Sequence, residues 1–228
     1  MTIGLLFAMQ EELDAFLNHY ENYETKTHKH LKIYTLQENN HTLVCVLTGI
    51  GKVNAAYATS YLIHAYDVRM ILNSGVAGGV NTEVETLVLS EGVVYHDVDV
   101  TVFNYERGQV PGFKPYFEAD SALLEIAETI ASEKNYPYQR GKIASGDQFI
   151  TERASINPIL ALYDDIYAIE MEATAIGHVA RLEGVPFLII RAISDVIGGS
   201  NQASDFKSFL EKSALRSAIL LDELLKRL

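Results

Sequence analysis

The sequence predicts an α/β protein in which helices cover both faces of a central sheet, a three-layer α/β/α arrangement. Two observations predict it. Several strand-like segments are continuously apolar, which is typical of strands buried on both faces, and VPFLIIRAISD (185–195) is the most apolar of them. Segments with helical spacing alternate with these strands along the chain. The length of 228 residues, 48% hydrophobic, and the lack of any Gly-, Ser- or Pro-rich linker predict one domain over residues 1–228.

In the first half of the chain, the apolar run TIGLLFAM predicts a strand that leads into a helix at QEELDAFLNHY. HLKIYTLQ and HTLVCVLTGIG predict two strands around the polar turn ENN. A helix is predicted from about Lys52 to Tyr66. VRMILNSGVAGG (68–79) predicts a buried strand that runs into a glycine-rich turn, and two more strand-like runs follow in TLVLSEGVVYHDVDVTVF.

In the second half, SALLEIAETIASEK predicts an amphipathic helix, and GKIASGDQFI and DIYAIEM predict strands that end in polar residues. After the strand VPFLIIRAISD comes the clearest helix of the chain. It carries an apolar stripe, and Ser204 or Asp205 is its predicted N-cap. The stripe consists of Phe206, Leu210, Ala214, Leu221, Leu224 and Leu228.

The charge and composition of the chain argue against some classes of partner. The formal net charge is −12, from 30 acidic and 18 basic residues, which argues against a nucleic-acid partner. The single cysteine, Cys45, forms no intrachain disulfide and is predicted to pack in the core. Neither a signal sequence nor a long apolar segment is recognisable, so we expect a cytoplasmic protein with no membrane partner.

Polar residues follow several of the predicted strands, where ligands bind in sheets of this kind. Three acidic clusters and one arginine are therefore expected to converge at one edge of the sheet. These strand-end positions are Glu11 and Glu12, Gly75 to Gly79, Asp147, Glu170 and Glu172, and Arg191, Ser194 and Asp195.

Taken singly, most of these residues also have a purely structural interpretation. Glu11 and Glu12 would complement the dipole of the helix they open, and Asp195 could serve as an N-cap. Arg191 is harder to explain in this way, because an arginine inside an apolar strand needs a carboxylate partner. Glu12, Glu170 and Glu172 are the possible partners.

Familiar catalytic and cofactor motifs are missing. GIGKV (49–53) lacks the serine or threonine and the first glycine of a phosphate loop, and GVAGG (75–79) is not GxGxxG. His96 and Asp97 have no second histidine or cysteine at metal-ligand spacing. No nucleophilic serine elbow is present. The chemistry is therefore expected to depend on carboxylates.

An ordered set of motifs resembles the 5′-methylthioadenosine/S-adenosylhomocysteine nucleosidases. The resemblance extends from residue 3 to about residue 210 and implies a nucleoside phosphorylase-like fold around a mixed, partly barrel-like sheet. It also implies hydrolysis of the bond between adenine and ribose in nucleosides that include 5′-methylthioadenosine, S-adenosylhomocysteine and 5′-deoxyadenosine. The motifs are AMQEE, TGIGKVNAA, NSGVAGG, YHDVDVTVFNYERGQVPG, SGDQFI, IEMEATAI and VPFLIIRAISD.

The resemblance implies catalytic roles for the acids. Asp195, in the Ser194-Asp195 motif, would protonate N7 of adenine, and Glu12 would be the general base for water. Arg191 would help to hold that water. Glu172 would bind the ribose hydroxyls and Met171 would pack on the sugar, with Glu170 in a supporting role.

The resemblance also implies the remaining contacts. Phe149 would stack on adenine and the Ile150 backbone would read its edge, beside Ala77 and Gly78. The 5′-alkylthio group would lie among Met9, Ile50 and Phe206. A homodimer partner would close the pocket, and no metal or organic cofactor is implied. Val76 departs from the family pattern, in which serine is common. The residues expected to come from the partner are Val100, Phe103 and Pro111.

Other functions remain open from the sequence. A purine nucleoside phosphorylase of the same superfamily would need basic groups for phosphate, yet residues 1–25 contain no lysine or arginine. A non-catalytic adenine-nucleoside sensor would have no use for both Glu12 and Asp195. A purely structural subunit would leave the acids at the strand ends unexplained.

Overall fold

The computed structural model describes residues 1–228, and its ten strands belong to one mixed sheet. All but one of the predicted strands are present, and most of the apolar ones are buried along their whole length. The strands are β1 (Thr2–Phe7), β2 (Glu24–His28), β3 (Leu31–Glu38), β4 (His41–Leu47), β5 (Met70–Gly79), β6 (Leu87–Tyr95), β7 (Phe117–Glu118), β8 (Tyr138–Ser145), β9 (Ile166–Glu170) and β10 (Phe187–Val196).

Helices pack on both faces of this sheet, as predicted. Apolar side chains of the first, third and sixth helices share one buried cluster, and those of the second and fifth share another. None of the helices is long and apolar enough to cross a lipid bilayer. The helices are α1 (Gln10–Leu17), α2 (Lys52–Tyr66), α3 (Ser121–Glu133), α4 (Asn157–Leu160), α5 (Ala173–Glu183) and α6 (Gln202–Leu225).

Five of the strands form a closed ring. β5 pairs with β10, β10 with β6, β6 with β8, β8 with β9, and β9 returns to β5. The sheet continues from β5 through β1, β4 and β3 to β2. The partly barrel-like sheet is thereby confirmed. Because the ring is closed, the ends of β5, β9 and β10 are held next to one another.

Strand β10 contains a β-bulge where it pairs with β5. Ile193 pairs with Ala77 and Asp195 pairs with Gly78, so Ser194 is an extra residue with no partner in β5. Such a β-bulge twists a strand locally and redirects its side chains. Here it places two consecutive polar residues, Ser194 and Asp195, beside one position of the neighbouring strand.

Two predictions about local structure were wrong, and one strand was not predicted. Residues 75–79 are not a turn but the last part of β5, because β10 and β9 both pair with them. The segment 86–103 contains one strand rather than two, since after Tyr95 the backbone leaves the sheet. β2 was not predicted because its side chains are mostly exposed and show no apolar alternation.

The predicted N-cap of α6 was also wrong. The helix begins at Gln202 and its N-cap is Asn201, so Ser204 and Asp205 lie in its first turn. Gly198, with a φ of 81°, allows the chain to turn soon after β10 ends. The Gln202 side chain then accepts a hydrogen bond from the backbone N–H of Gly198, at 3.2 Å. Because of this early turn, the helix begins before Ser204 and Asp205, the residues predicted to cap it. Asp195 lies inside β10 and caps no helix.

Candidate active site

One cavity of about 110 Å³ collects most of the residues expected at the site. It opens at the junction of β5, β9 and β10, with contributions from the start of α1 and from α6. The predicted residues that line it are Met9, Glu12, Ile50, Ala77, Gly78, Phe149, Glu170, Met171, Glu172, Ser194, Asp195 and Phe206.

The other predicted residues lie elsewhere. Ile150 lines a neighbouring cavity of about 40 Å³ that also contacts Asp195. Arg191 lies below the cavity and is only 2% exposed. Within one chain the structure does not bring Val100, Phe103 or Pro111 to either cavity, and Phe103 is 71% exposed.

Glu12 is a buried carboxylate that backbone N–H groups hold in place. Its Oε2 accepts hydrogen bonds from the N–H of Ala8 at 3.0 Å and of Met9 at 3.1 Å, and its Oε1 accepts one from Val76 at 3.0 Å. Burial raises the pKa of Glu12, and the Arg191 charge and these three donors oppose that rise only in part. Glu12 is therefore more than a residue that complements a helix dipole.

The space for Glu12 depends on the glycine at position 75. A Cβ atom at Gly75 would lie 2.4 Å from Oε1 of Glu12, too close for any real contact. The sequence gives no sign of this, because the two positions are far apart along the chain. The sequence analysis named Gly75 among the strand-end positions but did not predict that it makes room for Glu12.

We expect Gly75→Ala to lower kcat by about 10²-fold, because a misplacement of about 1 Å at a reacting group costs that much. Steady-state kinetics of the purified variant measure the effect. Gly184→Ala is the control: its new methyl group meets open space, although its φ of 67° makes the substitution strained. That control loses stability but keeps its kcat. Unchanged kcat in Gly75→Ala would contradict the argument.

Glu172 lies where β9 meets α5, at the wall of the cavity. Its Oε1 accepts a hydrogen bond from the N–H of Gly51, at 2.8 Å, just before α2. No protein group donates to its Oε2, which leaves that oxygen available to a ligand hydroxyl. Burial raises the pKa of Glu172, and the nearby charge of Glu170 raises it further.

Glu170 differs from Glu172 because protein donors occupy both of its oxygens. Oε2 accepts from the N–H groups of Glu172 at 3.0 Å and Ala173 at 2.8 Å, and from Arg191 Nη2 at 2.7 Å. Oε1 accepts from the hydroxyl of Ser145. These contacts hold the segment that carries Met171 and Glu172.

The carboxylate partner of Arg191 is Glu170. Of the three glutamates that the sequence allowed, only Glu170 lies within ion-pair distance. Arg191 also donates from Nη2 to Asn73 Oδ1 at 2.6 Å and from Nη1 to the Ile190 carbonyl at 3.0 Å. Its charge still acts on Glu12 and Glu172, whose carboxylates it stabilises from below.

We expect Glu170→Gln to lower the free energy of unfolding by about 3 kcal/mol, because removal of one partner leaves Arg191 as an uncompensated buried charge. Urea denaturation measures the change. Glu211→Gln, on the exposed face of α6, is the matched control and leaves stability unchanged. A loss no larger than that of the control would show that the buried pair does not stabilise the fold.

Asp195 is the third buried acid of the site and is 1% exposed. Ser194 Oγ donates to its Oδ1 at 2.7 Å, and Gln202 Nε2 donates to its Oδ2 at 2.8 Å. Burial raises the pKa of Asp195, and these two hydrogen bonds oppose the rise. The sequence analysis missed Gln202, which stands in a polar segment without a recognisable motif.

The site combines acids whose pKa values are raised with a lining that has no basic side chain. Glu12, Glu172 and Asp195 all have raised pKa values, as acid and base catalysts need near neutral pH. No lysine or arginine side chain lines the cavity. Such a site favours a ligand in which positive charge develops and disfavours an anion. Nowhere does the structure group three or more metal-ligating side chains, His96 and Asp97 included.

Comparison with known proteins places this fold and site in a class. Residues 2–226 match the family model of the Phosphorylase superfamily. The chain is 39% identical over 231 residues to the 5′-methylthioadenosine/S-adenosylhomocysteine nucleosidase of Bacillus thuringiensis strain Al Hakam, with 100% of each chain covered. The chain belongs to the 5′-methylthioadenosine/S-adenosylhomocysteine nucleosidase family within that superfamily.

Solved structures agree with this assignment. The 5′-methylthioadenosine/S-adenosylhomocysteine nucleosidase from Neisseria meningitidis, in complex with methylthio-immucillin-A, superposes with a TM-score of 0.94 at 33% identity and covers 100% of this chain and 99% of its own. The futalosine hydrolase of Helicobacter pylori superposes equally well, with a TM-score of 0.94 at 30% identity and 100% and 98% coverage. The fold is therefore common to more than one hydrolase, and the assignment depends on the identity to the curated relative.

Proposed function

We propose that this enzyme hydrolyses the N-glycosidic bond of 5′-methylthioadenosine and S-adenosylhomocysteine, releasing adenine and a 5-thio-substituted ribose. The observation that carries the proposal is the grouping of Glu12, Glu172 and Asp195 around one cavity that no basic side chain lines. Family membership supports the choice of substrates. 5′-Deoxyadenosine has the same bond and is a further substrate to test.

Departure of the base is the first step. Asp195 donates its proton to N7 of adenine while the electrons of the bond between C1′ and N9 move to the base, which leaves as neutral adenine. Burial raises the pKa of Asp195, which is the direction that a proton donor needs. Ser194 orients the carboxyl group, Phe149 stacks on the base, and the backbone of Ile150 contacts its edge beside Ala77 and Gly78.

Addition of water completes the reaction. The ribosyl group develops oxocarbenium character, and a water molecule attacks C1′ as Glu12 takes its proton. The three N–H donors hold the Glu12 carboxylate in position, and Arg191 stabilises its charge from below. The acidic lining stabilises the developing positive charge on the sugar.

The remaining residues position the sugar and its substituent. Glu172 accepts hydrogen bonds from the 2′- and 3′-hydroxyl groups through its unoccupied oxygen, and Met171 packs on the ring. Glu170 holds both residues in place and contacts no substrate. The 5′-alkylthio group contacts Met9, Ile50 and Phe206, which are apolar and line the same cavity.

A phosphorylase activity is disfavoured, although the superfamily carries that name. Phosphate needs cationic groups or convergent N–H donors. Arg191 lies below the cavity, but it is 2% exposed and its guanidinium already binds Glu170 and Asn73. The N–H groups near the floor donate to Glu12 instead of facing an anion.

We further propose that two copies of the chain form a homodimer, in which Val100, Phe103 and Pro111 of one copy close the cavity of the other. Exposed apolar side chains support it: Val102 is 82% exposed and Phe103 is 71% exposed. Light scattering coupled to gel filtration tests the dimer. We also propose that the enzyme acts in methionine salvage and the activated methyl cycle, in the cytoplasm.

Adenine release from 5′-methylthioadenosine by the purified protein, with and without phosphate, tests the proposed function. Release that does not depend on phosphate is the expected result. Strict phosphate dependence with a ribose 1-phosphate product would instead indicate a phosphorylase. Binding without release would indicate a sensor. S-adenosylhomocysteine, 5′-deoxyadenosine and futalosine are assayed in parallel, and faster cleavage of futalosine would change the assigned substrate.

A further inference from the structure

Gln202, at the start of α6, reaches into the base-binding side of the site with its carboxamide. Nε2 donates to Oδ2 of Asp195 at 2.8 Å and to the carbonyl oxygen of Ile150, also at 2.8 Å. Oε1 accepts from the N–H of Gly198 at 3.2 Å. The side chain is buried and lines the smaller cavity beside Asp195. Every polar atom of the carboxamide is therefore hydrogen-bonded.

The two acceptors that Gln202 uses are those that the proposed function assigns to adenine. An exocyclic amino group carries two N–H donors, and a protonated ring nitrogen beside it carries a third. The –NH2 group of Gln202 likewise points two N–H donors at Asp195 and Ile150. In its hydrogen bonds, this side chain matches the edge of an amino-substituted base.

Gln202 and the base compete for Asp195 because both need to bind the same carboxyl group. Ser194 donates to one of its oxygens and Gln202 to the other, and the residue is 1% exposed. A base that receives the proton of Asp195 must come within hydrogen-bond distance of the same carboxyl group. The Gln202 carboxamide already donates to Oδ2 of Asp195 and to the carbonyl oxygen of Ile150. A base can therefore bind to these two acceptors only when Gln202 moves away from them.

We propose that Gln202 is an internal competitor of the base: its carboxamide occupies the adenine-edge acceptors Asp195 Oδ2 and Ile150 O, and an amino-substituted base displaces it. This inference depends on the proposed function, because that function places adenine at Asp195. Displacement keeps both acceptors satisfied only when the incoming edge brings N–H donors. A base with an oxygen at that edge leaves them unpaired, which costs affinity. The two acceptors themselves select for an amino group, and Gln202 lowers the affinity of any base that has to displace it.

Adenine binding tests the proposal, measured by isothermal titration calorimetry on the wild type and on Gln202→Ala. The variant has no carboxamide for adenine to displace, so we expect its Kd for adenine to fall by about tenfold. This change corresponds to the free energy of one to two net hydrogen bonds. Gln202→Met retains the length and helix propensity of the side chain without its donors, and it is expected to show the same direction. Ser204→Ala, exposed in the same turn of α6, is the matched control.

Two results would overturn the proposal. One is an unchanged or weaker affinity for adenine in Gln202→Ala and Gln202→Met together with a lower kcat, which would make Gln202 a positioning residue for Asp195. The other is a crystal structure of the adenine complex in which Gln202 Nε2 remains within hydrogen-bond distance of Asp195 Oδ2. Failure of the wild type to release adenine from any substrate would refute the proposed function instead, so the two failures are distinguishable.

Discussion

Asp195→Asn lowers kcat for adenine release by about 10³-fold, within the range of 10² to 10⁴ that a general acid contributes. An amide of nearly the same shape has no proton to give to N7, so the base must leave as an anion. Ser194 and Gln202 still surround the side chain, and the fold is retained. Single-turnover assays of adenine release measure the loss, and thermal unfolding measures the stability.

A second aspartate variant separates this effect from a general loss of charge. Asp164→Asn changes an exposed aspartate far from the cavity lining and keeps full activity. Substrate affinity provides another check, because the proton-donor role predicts that Asp195→Asn still binds 5′-methylthioadenosine. Near-wild-type turnover in Asp195→Asn would remove Asp195 from the mechanism.

Glu12→Gln is expected to lower kcat by about 10²- to 10³-fold, the size of a lost general base. The amide oxygen can still accept from the N–H groups of Ala8 and Met9, so the start of α1 is preserved. What is lost is the ability to take a proton from water. Because methanol also needs this base, product analysis in water–methanol mixtures is expected to show both the hydrolysis and the methanolysis product reduced together.

Glu12→Gln lowers kcat, but it is expected to increase the stability of the fold at high pH relative to low pH. The pKa of Glu12 is raised above 4.5 in the folded protein, so the unfolded chain loses this proton at a lower pH. The free energy of unfolding therefore decreases as pH rises from the ordinary glutamate pKa through the raised value, and stays lower above it. Glu12→Gln lacks this titration, so its stability relative to the wild type increases as pH rises from the ordinary glutamate pKa through the raised value. Parallel stability curves, like those expected for the exposed Glu11→Gln, would contradict the raised pKa.

Much of the fold followed from apolar periodicity. Buried strands and amphipathic helices have signals that depend on neighbouring residues alone, and the major elements were placed correctly. The acids at the strand ends were also predicted to converge, and Glu12, Glu172 and Asp195 line one cavity. Their catalytic roles came from the family resemblance and stay predictions until the variants are measured.

What the sequence did not reveal depends on contacts between distant residues. The bulge at Ser194 follows from pairing with β5, and the space that Gly75 leaves for Glu12 follows from the packing of α1 on β5. Glu170 and Glu172 are both glutamates of the same motif, yet only the structure distinguishes the saturated carboxylate from the available one. Gln202 is a polar residue in a segment whose helix start was predicted too late.

The edge strand at the open end of the sheet is unsuited to pairing with strands of other molecules. Beyond the closed ring, the extension ends in β2, whose outer side has no further strand to pair with. An unpaired edge is a template for strands of other molecules, and charged side chains weaken that attraction. β2 carries Glu24 and Lys26, and four of its five residues are exposed. The apolar strands β1 and β4 thus lie in the interior of the sheet, and a short, polar strand forms its edge.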